Sequence, residues 1–398
     1  MNTDYDIIVI GLGAMGSAAL YQLARRGVPA LGIDQFAPPH QMGSTHGETR
    51  ITRLAVGEGA AYIPLVRRTH EIWRELEAVG GESLLTLSGG YIICPQKGGA
   101  HFHGVGDFVM QTAQLAKQYG IEHELRNAAD IRNHLPMLKI RDNEHAFYEP
   151  TGGVVNPERA VAVQLREGQR RGATIHTNEK VLDYAYDRRG VTVTTTQGTY
   201  SAGKLVLTVG PWVIDFLQGE MRKSFGVYRQ VFYWIEAEDP ALFSSDRFPF
   251  VIWIGDTEAD YYSLFPTPPH ATLAVKMVTE EYLDTIHPDE VDRTVHQKEI
   301  SHMMDHFVKN KVRGLTRNCV QAHVCLYTVT PDAHFVIDWH PESERVMIVS
   351  PCSGHGFKHS GAIGEAVAQM VLEGTSQMDL SLFRFERARR ESALGGDG

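Results

Sequence analysis

Apolar and polar positions along the chain change their period several times, and each change predicts an element. Residues 5–10 form a short apolar run, residues 17–26 continue with helix formers, and residues 28–33 form a second apolar run, which predicts strand, helix and strand. Residues 62–79 place Leu65, Ile72, Trp73 and Leu76 among charges, the pattern of an amphipathic helix. Residues 84–94 alternate around Gly89-Gly90, residues 102–119 and 130–136 read as helices, and residues 149–153 as a turn. A helix is expected at 157–172. Alternating runs at 181–186, 191–196 and 205–209, joined by turns at 188–190 and 197–198, then predict a β-meander. Further strands are expected at 228–236, 250–254, 261–266 and 272–278, with connections short enough for antiparallel pairing, followed by a helix at 299–309. Strands at 321–328, 335–338 and 345–350 lead into a last helix at 361–373.

The first turn carries specific chemistry. Gly11-Leu-Gly13-Ala14-Met15-Gly16 is Gly-x-Gly-x-x-Gly between a strand and a helix. Gly11 permits the turn, Gly13 lets a pyrophosphate approach the backbone, and Gly16 lets helix and strand pack closely. The second apolar run ends in Asp34, an acceptor for ribose hydroxyls that argues against NADP. The motif alone leaves FAD and NAD open. The β-meander between nucleotide-domain elements favours a flavin.

At 398 residues the chain is long enough for two connected domains. The expected division is a discontinuous cofactor domain at 1–90, 150–220 and 320–390, and a substrate domain at 91–149 and 221–319. A formal charge of −10 argues against non-specific nucleic-acid binding, which needs a basic face. No run of 18 apolar residues and no signal-peptide pattern is present, so a cytoplasmic chain with no membrane span is expected. The four cysteines lie far apart and the nineteen histidines form no His-Glu-x-x-His pattern, so no metal site is expected. Nothing suggests a repeat or coiled coil, and a monomer is the default.

Three further stretches attract attention. Residues 43–53 are small, polar and basic, and Arg50 and Arg53 would suit an anionic or electron-rich ligand or simply a solvated loop. Lys276 interrupts an apolar strand, so it is either paired inside the protein or snorkels from a sheet edge. Ser353-Gly354-His355-Gly356-Phe357-Lys358 repeats the opening logic of strand, glycine-rich turn and helix, aiming a second helix N-terminus at the ligand.

With these residues in hand, the chain resembles the monomeric sarcosine oxidase and N-methyltryptophan oxidase family of FAD-dependent amine oxidases over essentially its full length. The matches are Gly11 to Gly16, Pro38-Pro-His40, His46-Gly-Glu-Thr-Arg50-Ile-Thr-Arg53, Gly57-Glu-Gly59, Val324-Cys-Leu-Tyr-Thr328 and Ser353 to Lys358. The resemblance implies an α/β fold: an FAD-binding, Rossmann-like domain of the glutathione-reductase type, with a second α+β substrate domain built on an antiparallel sheet. It implies covalent FAD through Cys325, with cofactor contacts from Gly11, Gly13, Ala14, Met15, Gly16, Asp34, Gln35, Ser44, His46, Thr49, Arg50, Gly354, Gly356, Phe357 and Lys358. Arg53 and Lys358 would grip a substrate carboxylate, a pairing their charge-assisted hydrogen bonds suit. Tyr262, Tyr327 and Glu280 would complete the substrate site. Arg50 and His46 would lie against the flavin, and Lys276 would stand where oxygen is activated.

Two positions depart from the family pattern: Val56 replaces a tyrosine, and Glu280 replaces a histidine four residues after the lysine. The implied activity is oxidation of a secondary amino acid, such as N-methyltryptophan or a sarcosine-like N-methyl amino acid. Hydride would pass from the carbon next to nitrogen to flavin N5, the imine would hydrolyse, and O2 would become H2O2. An Amadori-compound (fructosyl amino acid) oxidase, a cyclic imino acid oxidase and a flavin amine dehydrogenase using another acceptor are the alternatives.

Overall fold

The computed structural model describes residues 4–97 and 99–387. Positions 1–3 and 388–390 of the expected cofactor domain, and position 98 of the expected substrate domain, lie outside the described residues. The strand Tyr5–Ile10 seeds the first sheet, running parallel between Ala30–Ile33 and Thr199–Leu207. A strand covered on both faces reads as a continuous apolar run, which is why this one shows no alternation. Thr174–His176 extends the sheet beyond Ala30–Ile33. On the other side the expected meander is present, with Val181–Tyr186, Val191–Thr195 and Thr199–Leu207 pairing antiparallel. The last strand is long enough to pair twice, because from Leu205 to Leu207 it also runs parallel to Ser343–Ser350.

The helix Ala14–Arg25 packs on this sheet beside Pro157–Arg170 and Ser360–Glu373. A Cβ at Gly364 would lie 2.5 Å from Ala18, so two of these helices meet backbone to backbone. Pro157 in the first turn and the Asn156 side chain, which accepts from the Arg159 N–H at 2.8 Å, start the third.

The second sheet runs Leu315–Val329, Gly226–Ala237, Val275–Thr279, Tyr262–Phe265, Phe250–Trp253, Gly90–Pro95, Glu144–Glu149 and Glu124–Asn127. It is antiparallel except where Phe250–Trp253 runs parallel to Gly90–Pro95. Alternation divides its faces. Tyr262, Leu264, Met277, Trp253 and Tyr233 turn outward and pack with Ile131, Met303 and Phe307. Ser263, Phe265, Lys276, Val278 and Cys325 turn inward, toward the first domain. A separate three-stranded antiparallel sheet joins Arg50–Thr52, Gly153–Val155 and Leu85–Leu87.

One expected boundary is corrected. Leu315–Val329 pairs along its length with Gly226–Ala237, so the second domain's sheet continues through residue 329, and a division at 320 cuts a strand. Its apolar end reads like the first-sheet strands that follow, and local pattern carries no record of which sheet a strand joins. Lys276 lies on an interior strand, which removes the snorkelling alternative. No helix among the described residues is long and apolar enough to cross a membrane.

Candidate active site

A cleft of about 400 Å³ opens along the C-terminal ends of the first sheet's parallel strands. Gly11, Gly13, Ala14, Met15, Asp34, Gln35 and Ser44 line one end, and Arg50, Tyr327, Gly354, Gly356 and Phe357 the other. The glycine roles divide as the chemistry requires. Gly11 has φ +86°, and a Cβ there would sit 2.5 Å from the Thr208 carbonyl. A Cβ on Gly16 would collide with the Gly11 carbonyl at 1.7 Å, so this residue packs helix on strand and does not line the cleft. Gly13 meets only the Thr45 hydroxyl at 3.5 Å, leaving its backbone open to a ligand. Asp34 is oriented by the Leu12 N–H at 2.7 Å and the Phe36 N–H at 2.8 Å. This cradle fits a dinucleotide phosphate and ribose.

At the far end Arg50 donates to the Ser44 carbonyl at 2.7 Å and approaches the Cys325 sulfur at 3.9 Å, with its guanidinium 4.9 Å from the Phe232 ring centre. Cys325 is buried one layer behind the cleft wall formed by its neighbours Leu326 and Tyr327. Burial raises its thiol above the ordinary value, while Arg50 and Lys276 pull in the opposite direction. His46 and Thr49 are likewise buried and do not line the cleft. Burial, with Arg50 and Lys276 nearby, lowers His46 to about 2, so its imidazole is neutral. Lys276 Nζ donates to the Gly47 and Thr49 carbonyls, both at 2.8 Å, and lies 4.4 Å and 4.5 Å from the ring centres of Phe232 and Phe265. These contacts offset a burial cost of several kcal/mol, on the order of that for any desolvated ammonium. Burial, then Arg50, still hold its pKa well below the usual lysine range.

A second cavity, of about 70 Å³, adjoins this end; Arg50, Tyr327, Gly354 and Phe357 line both spaces. Its walls include Arg53, Lys358, Glu280, Tyr261 and Ser263, together with Glu58, His103 and His355. Arg53 is presented by a turn in which Glu149 accepts from the Leu54 and Ala55 N–H groups at 2.7 and 2.9 Å. Its guanidinium donates to Glu58 at 2.7 Å, and Lys358 Nζ lies 3.9 Å from the other Glu58 oxygen. His103 bridges two carboxylates, with Nδ1 3.5 Å from Glu58 and Nε2 3.4 Å from Glu280. Although burial favours the charged form least, Arg53 and Lys358 hold Glu58 well below the usual carboxylate range. Burial lowers Lys358 to about 7, with Glu58 opposing.

The inward residue of the tyrosine pair is Tyr261, whose hydroxyl lies 3.0 Å from Ser263 Oγ. Tyr262 does not reach the cavity; it packs between Trp253 and Phe307 on the opposite face. Strand alternation makes a one-residue slip a change of face. Glu58 and His103 carried no expected role, since their partners come from distant segments; Gly57-Glu-Gly59 was the available sign of the first. Glu58, His103 and His355 present ligand-type atoms within 4.8 Å of one another. Arg53 and Lys358 already supply positive charge to that carboxylate, so an added cation would be repelled.

The two spaces form a dinucleotide cleft with an attached chamber lined by charged side chains, and residues 6–370 match the model of the FAD dependent oxidoreductase (DAO) family. The chain belongs to this family. It is 37% identical to the monomeric sarcosine oxidase of Streptomyces avermitilis over 387 residues, which covers 96% of this chain and 97% of that protein. It is 35% identical to the N-methyl-L-tryptophan oxidase of Yersinia pestis over 389 residues, covering 97% of this chain and all of that one. In fold it is similar to NikD, an unusual amino acid oxidase essential for nikkomycin biosynthesis, in its open form: TM-score 0.82, 21% identity, with 96% of this chain and 97% of that one covered.

Proposed function

We propose that the chain oxidises N-alkyl amino acids, with N-methyl amino acids as the primary class and O2 as the electron acceptor. The carrying observation is that the chamber holding Arg53 and Lys358 shares Arg50, Tyr327, Gly354 and Phe357 with the cofactor cleft. A carboxylate gripped by two cations leaves its own amine and N-alkyl group at this shared wall. FAD supplies the two-electron acceptor when bound. The protein supplies position, charge and exclusion of water. Tyr261 is buried and Tyr327 partly so; desolvation holds both phenols well above their usual pKa, so they remain neutral and line the site without adding charge.

Cys325 is the proposed point of covalent attachment, supported by its sulfur lying beside Arg50 and 3.8 Å from the Ser44 carbonyl, both residues that line the cleft. Lys276 is the proposed residue for oxygen activation: a cation in a dry site stabilises developing negative charge far more than one in water. All these groups come from one chain, and the relatives named monomeric support a single-chain enzyme.

The test uses purified holoenzyme mixed anaerobically with N-methyl amino acids and, separately, with the corresponding primary amino acids. Bleaching of the flavin by the N-methyl compounds, with formaldehyde released on turnover in air, is expected. Bleaching by primary amino acids alone would overturn the reading.

A further inference from the structure

We infer that Glu280 and His103 form a recognition site for a cationic or strongly donating group on the substrate side chain, so that basic N-alkyl amino acids are preferred over aliphatic ones. The inference rests on the reading of the chamber as an N-alkyl amino acid site.

The protein's own side chains already fill the chamber with a pair of opposite charges. The Glu58 carboxylate occupies the space between Arg53 and Lys358. Next to it the His103 ring lies between Glu58 and Glu280 at 3.5 and 3.4 Å. Burial lowers the His103 pKa, but the contacts with Glu280 and Glu58 outweigh it and raise the group above its ordinary value. The His103 ring therefore sits where Glu280 would receive positive charge. Its contacts are longer than good charge-assisted hydrogen bonds, so a ligand donor with better geometry can replace it.

Glu280 is built to receive such a donor. The Tyr282 hydroxyl fixes one oxygen at 3.0 Å. The other lies 3.0 Å from where a Cβ on Gly354 would be, so the missing side chain leaves it room at the wall shared with the cleft. Among the described residues His103 is the one cation within ion-pair distance of Glu280. A neutral side chain that pushed the ring aside would strand a buried carboxylate, whereas a basic one would replace its counter-ion. Glu280 and a carboxylate in the Glu58 position are separated by an imidazole ring and two ion-pair contacts. That span exceeds the reach of a ligand's α-nitrogen, which assigns Glu280 to the side chain. His103 and Glu58 both lie on glycine-flanked loops, with φ +49° at His103, +79° at Gly104 and +147° at Gly59, so both partners are carried by segments separate from the strand Val275–Thr279 that Glu280 directly follows.

The experiment measures kcat/KM of the holoenzyme for N-methyl-lysine, N-methyl-arginine and N-methyl-norleucine in wild type and Glu280→Gln. A basic-to-neutral ratio of about tenfold or more in wild type, falling close to one in the variant, is expected. The same ratio in both proteins would overturn the inference. A second measurement needs no variant and no turnover: titration of the wild-type flavin spectrum with 6-aminohexanoate against hexanoate. Tighter binding of the amino compound supports the site, and equal or weaker binding overturns it. If no N-alkyl amino acid bleaches the flavin, the proposed activity fails, and this titration still decides Glu280.

Discussion

Arg53 and Glu58 hold each other at 2.7 Å with side chains only 4% and 2% exposed, so the guanidinium proposed to grip a substrate carboxylate is already paired. The second oxygen of Glu58 faces Lys358 at 3.9 Å and His355 at 3.8 Å. On the proposed reading a ligand carboxylate competes with an internal one, and its apparent affinity is the intrinsic affinity reduced by the population in which Glu58 has moved away.

Glu58→Gln removes the competing charge while keeping the shape. Simple carboxylates such as acetate are expected to bind the variant holoenzyme about tenfold more tightly, read from flavin absorbance titrations. Arg53→Gln is expected to weaken them roughly a hundredfold. Because Arg53 loses its buried partner in the first variant, its Tm should also fall by several degrees. Unchanged carboxylate affinity in Glu58→Gln would show that this glutamate is not a competitor.

Cys325→Ser addresses the cofactor linkage. Wild-type protein denatured and precipitated in acid should retain yellow colour in the pellet, and the variant should release it to the supernatant. Yellow in the wild-type supernatant would break the assignment while leaving a flavoprotein. The nearby guanidinium gives a second readout. With Arg50 near the sulfur at 3.9 Å and opposing the burial that raises the thiol, Arg50→Met should slow incorporation of added FAD into apoprotein.

The dinucleotide turn was legible in the sequence because its constraints are local. Gly11 and Gly16 are required by contacts within one turn and the neighbouring strand end, Gly13 keeps the backbone open to a ligand, and Asp34 directly follows the adjacent strand. The inward tyrosine was not legible to the residue, because the phase of Tyr262–Phe265 is set by its pairing with Val275–Thr279. Lys276 stood equally between pairing and snorkelling until strand order placed it in the sheet interior. Glu58 and His103 acquire meaning only through partners brought together by the fold, and His103 falls inside the stretch 102–119 that reads as helix, whereas the helix begins at Phe108 and His103 lies in the loop before it. The same non-locality hid the membership of Leu315–Val329 in the second sheet.

For Lys276 the two half-reactions separate the possible roles. Its ammonium is held by two carbonyls and three aromatic faces, one of them the Phe265 ring at the chamber wall. Lys276→Met should slow reoxidation of the reduced flavin by O2 by about a hundredfold or more, an electrostatic loss typical of a dry site. Anaerobic reduction by substrate should change less than roughly tenfold on the same scale. Stopped-flow absorbance reads both steps, and an unchanged reoxidation rate would return Lys276 to a purely structural role.

Lys358 predicts a pH dependence. Burial lowers its pKa to about 7 and Glu58 opposes the shift, so the free protein carries the charge below that pH and loses it above. Acetate has no amine and stays ionised from pH 6 to 9, which makes it the clean probe. Its affinity should weaken as pH rises through about 7, because the second cation of the clamp disappears. His103, raised above its ordinary value, loses charge in the same direction as pH rises, so wild type alone cannot assign the effect. Lys358→Met separates them: the variant should bind acetate weakly throughout and lose most of the decline. Since a bound carboxylate favours the ammonium, the break seen in kcat/KM reports the free enzyme and the break in kcat should lie higher. An acetate affinity independent of pH in wild type, or an identical decline in Lys358→Met, would remove Lys358 from the clamp.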